Sequence, residues 1–136
     1  MASTIEIPRE NWALYFERLG RQAQTYPVRI EVENQDIGDQ EMARRLPLVG
    51  IDLETKGSEV GDIEVTVGDA DQNFMHHIDE PTRVFLMVDD SGNIDCIEIE
   101  DGAEGKTIIF FEKHPGLPAT ALLSSRVEDE QPAPGP

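Results

Sequence analysis

The chain has 136 residues, with 28 acidic and 11 basic side chains and a net charge of −17. Its length suits one domain, and its 38% hydrophobic content sits below the globular average but well above that of a disordered chain. No apolar run nears the ~20 residues of a membrane span, the first residues lack the basic and apolar regions of a secretory leader, and a lone Cys96 excludes an internal disulfide or a multi-thiolate zinc site. The expectation is a soluble, cytoplasmic protein.

Pro8 stands where a helix starts, and Trp12, Tyr15, Phe16 and Leu19 recur at the spacing of one helical face. The pattern predicts an amphipathic helix over residues 8–19, with Gly20 a plausible stop, though Arg21–Gln24 could add a turn. After Pro27 the period switches to two: Val28, Ile30 and Val32 alternate with charged residues, as in a strand with one wet face. Residues 34–41 read as a polar loop. A second strand over Leu46–Glu54 changes parity near Val49-Gly50, which predicts a bulge, and Pro47 suggests an edge. Further strands are predicted at Ile63–Val67, Phe74–Ile78, Val84–Val88, Ile94–Glu100 and Thr107–Phe111, joined by Asp/Gly/Asn turns. The nearly continuous apolar run Val84–Val88 predicts the most buried strand.

These elements give an α+β fold: one N-terminal amphipathic helix packed on a six- or seven-stranded antiparallel sheet, bent or partly closed into a small barrel. Residues 1–112 form the domain, and 113–136, with five of the nine prolines, form a Pro-rich mobile tail in which residues 119–127 could make a helical turn.

Charge is spread unevenly. Residues 1–51 carry a net −2, and residues 52–112 carry −14, with Lys56, Arg83 and Lys106 as their bases. Phosphate contacts need concentrated positive charge, so direct nucleic-acid binding and docking on anionic lipid are disfavoured. The acidic half could attract a basic protein surface or divalent cations, and the less acidic Arg-bearing side another copy of the chain. Plain solubility, or adaptation to a salty interior, would explain the same composition.

Four residues, Asp69, Asp71, Asn73 and Glu80, match the offsets of positions 1, 3, 5 and 12 of a calcium loop, but Phe74 stands where such loops need glycine and no helix flanks the segment. His76 and His77 are neighbours on a strand, so they point to opposite faces and cannot share one metal ion. His77 and Asp79 can lie on the same side, where a carboxylate could orient an imidazole base; the alternative leaves His76 packed in the core and His77 solvated. Cys96 lies among acids, which disfavours a reactive thiolate. Arg83, isolated among acids, is expected to make a structural ion pair with Asp79, Glu80 or an adjacent-strand carboxylate. No catalytic residue and no cofactor is assigned.

Two stretches, Ile7-Pro8-Arg9-Glu10-x-Trp12 and His77-Ile78-Asp79-Glu80-Pro81-Thr82-Arg83, resemble a family of small acidic bacterial proteins of unknown function, over roughly residues 4–112. The resemblance implies a compact, bacterial, cytoplasmic protein and nothing catalytic. The functional expectation is therefore a non-enzymatic accessory or protein-interaction module with an acidic surface. The alternatives are a nucleic-acid mimic that binds a basic protein, and a cation-dependent or His-assisted enzyme centred on residues 69–83.

Overall fold

A computed structural model describes residues 3–34, 38–54 and 60–112. In chain order these form strand β1 (Ser3–Ile7), a 3-10 turn (Arg9–Asn11), helix α1 (Trp12–Gln22), and strands β2 (Pro27–Asn34), β3 (Gly38–Leu53), β4 (Ile63–Gly68), β5 (Asn73–Ile78), β6 (Pro81–Val88), β7 (Ile94–Asp101) and β8 (Lys106–Phe111). Among the described residues no helix is long and apolar enough to cross a membrane. The expected tail at 113–136, with its helical turn, lies outside the described residues, as does most of the expected turn after Glu54.

The eight strands make one sheet in the order β1-β6-β7-β8-β2-β3-β4-β5, antiparallel at every pairing. This corrects the expected six or seven strands: the lead at Ser3–Ile7 is itself a strand, paired with β6 from Ser3–Val88 to Ile7–Val84. It corrects the barrel as well, because the edge strands β1 and β5 do not pair with each other. The sheet bends at β3 instead. Residues up to Pro47 pair with β2, and residues from Leu48 onward pair with β4. Pro47 thus sits where β3 changes neighbours, where a missing N–H costs the ladder least. The predicted bulge is present as a register shift between Leu48 and Gly50.

The bend folds the β3–β4–β5 wing back over the larger sheet, far enough for His76 on β5 to reach Thr107 on β8 at 3.1 Å. Helix α1 covers the stretch of β3 that β2 has left, with Gly20 close to Gly50 and Ile51. Trp12, Tyr15, Phe16 and Leu19 are all buried, and the helix runs through Gly20 to Gln22. They pack with Ile30, Ile51, Ile63, Val65, Leu86, Ile97 and Ile99 into one core, where each large aliphatic side chain contributes roughly 1.5–3 kcal/mol.

Strand β6 alternates rather than being buried throughout. Val84, Leu86 and Val88 face the core, while Phe85 and Met87 are half-buried on the outer face. Phe85 is shielded there by the Arg83 guanidinium, 4.9 Å from the ring centroid, so an apolar run can serve two faces.

Candidate functional site

The β4–β5 hairpin places the most concentrated polar chemistry. Its turn is set by Asp69, whose Oδ1 accepts the N–H groups of Asp71 and Gln72 at 2.9 Å each; these bonds hold the carboxyl below its ordinary range. Gly68 adopts φ 145°, and a Cβ there would lie 2.4 Å from the Gln72 carbonyl oxygen, so only glycine fits. Asp69, Asp71 and Asn73 gather at this end of β5, whereas Glu80 follows its other end, beyond Ile78. The four residues of the calcium-loop spacing are therefore not brought together.

At the far end of the hairpin the ladder runs from Gly68–Asn73 to Glu64–His77 and Ile63–Ile78, and it sets Asp62 beside Asp79. His77 Nε2 lies 2.9 Å from Asp62 Oδ2 and 3.2 Å from Asp79 Oδ1, and Nδ1 lies 3.4 Å from Glu64 Oε2. One atom each from Asp62, His77 and Asp79 fall within 4.8 Å of one another. The other Asp62 oxygen accepts the Glu80 N–H at 3.0 Å. That bond and the His77 ring hold the Asp62 carboxyl below its ordinary value. Glu80 reaches this position with φ 51°, and its carbonyl accepts the Gly102 N–H at 2.9 Å, which ties the turn to the large sheet.

The expected closeness of His77 and Asp79 is present. His77 is only 29% exposed, however, so it is partly enclosed by carboxylates rather than solvated. Sequence reasoning missed Asp62 and Glu64, although counting outward from the Gly68–Asn73 turn would have found both. The two histidines do face opposite ways. Burial pushes His76 below its ordinary pKa, with His77 adding to the effect and Asp101 opposing it.

Around this cluster the outer face of the wing is acidic. Asp52, Glu64 and His77 form one cross-strand row. A bond from the Glu54 N–H to the Asp62 carbonyl, 2.8 Å, extends the pairing and adds Glu54, Asp62 and Asp79 as a second row. The described residues from 46 to 82 hold eight carboxylates and no Lys or Arg.

The large sheet pairs its charges. Arg83 donates to Glu6 at 3.0 and 3.3 Å, the adjacent-strand form of the expected ion pair, and Lys106 meets Glu98 at 3.3 Å. Cys96 lies on this outer face beside Met87 and Phe110; burial first, then Glu98 and Asp95, push its thiol up to about 11. A groove of about 430 Å³ runs between α1 and β3, lined by Phe16, Ile51, Leu53 and Val49 among others. Its ionic groups include Glu17 and Arg21, already paired with each other at 2.6 Å.

The two stretches behind the family resemblance form one structural clamp. Trp12 Nε1–H donates to the Ile7 carbonyl at 2.9 Å. Arg9 lies over the Trp12 ring, 4.5 Å from its centroid, and donates to the Pro81 carbonyl at 3.2 Å. Arg83 closes the clamp on Glu6.

A 29% identical protein of Aquifex aeolicus, described as an uncharacterized protein, aligns over 116 residues, covering 85% of this chain and 96% of that one. No solved structure matches. The model of a family described as "Family of unknown function (DUF5335)" matches residues 3–120, eight residues beyond the resemblance's expected end at 112. The chain belongs to that family.

Proposed function

We propose that the chain is a non-enzymatic accessory module that docks a basic protein surface on the outer face of its β3–β4–β5 wing. The observation carrying this reading is the two-row grid of five carboxylates around His77, in a stretch, 46–82, whose described residues include no Lys or Arg. Opposed side chains in such rows stand about 5 Å apart, so the negative potentials add instead of being cancelled by neighbours, as they are on the large sheet. The dense face attracts lysine- and arginine-rich surfaces and speeds their encounter.

The test is titration of a lysine-rich peptide into the full chain with chelator present, across a salt series from about 50 to about 500 mM. Binding should weaken steeply with salt, and Asp52→Asn with Glu54→Gln should weaken it further at low salt. Absence of binding at low salt, or binding indifferent to salt, refutes the proposal.

A further inference from the structure

We propose that His77, Asp62 and Asp79 bind a divalent transition-metal ion of the zinc class, with Glu64 orienting the imidazole. Zinc sits about 2.0–2.2 Å from nitrogen and carboxylate ligands, so two ligands at right or tetrahedral angles stand about 2.9–3.4 Å apart. The separations from His77 Nε2 to Asp62 and Asp79, 2.9 and 3.2 Å, both fall in that span, and the three ligand atoms lie within 4.8 Å of one another.

The opposite side of the ring is arranged as a metal-binding histidine requires. Nδ1 faces Glu64 Oε2 at 3.4 Å; an ion would replace the proton in the 2.9 Å contact between Nε2 and Asp62, leaving Nδ1–H to Glu64, which fixes the metal-binding tautomer. Asp62 is built into the site, 13% exposed and anchored through its second oxygen to the Glu80 N–H. Asp79, 82% exposed, closes on the ion from the solvent side. One imidazole with two carboxylates suits zinc, cobalt or manganese, whereas calcium and magnesium take shells of oxygen. Three protein ligands leave a fourth position to water or to a donor from a partner.

The metal site shares its face with the docking surface but does not rest on that proposal. Metal uptake needs three particular side chains, peptide docking needs summed charge, and the chelator in the peptide titration separates them.

The test is calorimetric titration of the tag-free, chelator-stripped full chain with zinc and, separately, magnesium. Zinc should bind saturably at one ion per chain and raise the melting temperature, and magnesium should do neither. His77→Gln should lower zinc affinity at least ~100-fold and Glu64→Gln about 10–100-fold. Replacing His114, outside the described residues, should change nothing. Should His77→Gln disturb folding, as circular dichroism would show, the exposed Asp79→Asn variant decides by the same loss. Equal zinc binding by wild type and variants, magnesium binding as well as zinc, or no saturable zinc binding overturns the proposal.

Discussion

The contact between His76 and Thr107 is a direct probe of how the wing closes on the large sheet. Thr107 is buried, at 2% exposure, and its hydroxyl meets His76 Nε2 at 3.1 Å across 31 residues of chain. Thr107→Val keeps the shape and removes the hydroxyl, leaving the half-buried imidazole nitrogen without that partner. Water can reach part of His76, so the cost should be about 1 kcal/mol. His76→Leu instead strands a fully buried hydroxyl and should cost about 1–2 kcal/mol. Removing both groups leaves neither stranded, so the double variant should be more stable than the summed single losses imply, by about 1 kcal/mol. That coupling corresponds to roughly 4 °C in melting temperature for a domain of this size. Urea unfolding at about pH 8, with His76 neutral, gives all four stabilities. Trp12 is the chain's single tryptophan and 1% exposed, so its emission reports global unfolding. Strict additivity of the two substitutions would show that the wing does not rest on β8 through this pair.

Three further outcomes follow from local geometry. Gly68→Ala forces a Cβ to within 2.4 Å of the Gln72 carbonyl oxygen at φ 145° and should cost about 2–4 kcal/mol by urea unfolding; an unchanged midpoint would contradict the hairpin geometry. Cys96, its thiol raised to about 11, should resist a thiol reagent at about pH 8 in the folded chain and react promptly in urea, while fast labelling of the native protein would contradict its burial. The third outcome concerns pH. The folded chain holds His76 below its ordinary 6.5, so as pH falls through that value the unfolded chain takes up the proton first. Stability from this group is complete above about 6.5 and declines below it. His76→Gln should flatten the fall in stability between about pH 7.5 and 5.5, and an unaltered slope would refute the assignment.

Much of the fold is legible in sequence because it follows from local periodicity. The stripe of Trp12, Tyr15, Phe16 and Leu19 specifies its helix, and the parity change at Val49-Gly50 specifies its bulge. What escaped depends on partners distant in sequence. Ser3–Ile7 becomes a strand because β6, about 80 residues away, lends it a ladder. The polar residues Gly38–Glu41 extend because β2 pairs with them. The candidate site divides in the same way: His77 and Asp79, two apart on one strand, are a local inference, whereas Asp62 and Glu64 reach them only through hairpin register. The calcium-loop spacing misled because it counts residues as though the chain curled, and β5 separates Asp69 from Glu80 by a strand's length.

The acidic face runs against the stability of the wing that carries it. Asp52 and Glu64 stand directly opposite each other, a like-charge pairing that opposes strand association. The large sheet also sets Glu31 opposite Glu41, but there Arg29 and Arg44 lie beside the two carboxylates, and Arg83 meets Glu6 and Lys106 meets Glu98. Asn or Thr at position 52 would relieve the repulsion, and under the proposed docking a cationic partner on this face would offset it. Asp52→Asn should therefore raise the melting temperature by about 2 °C at low salt while weakening attachment of a lysine-rich peptide. Added salt should shrink both effects together, since both arise from the same screened field. A variant that melts lower than wild type at low salt, or that gains stability without losing peptide affinity, would break the link between the repulsion and the partner.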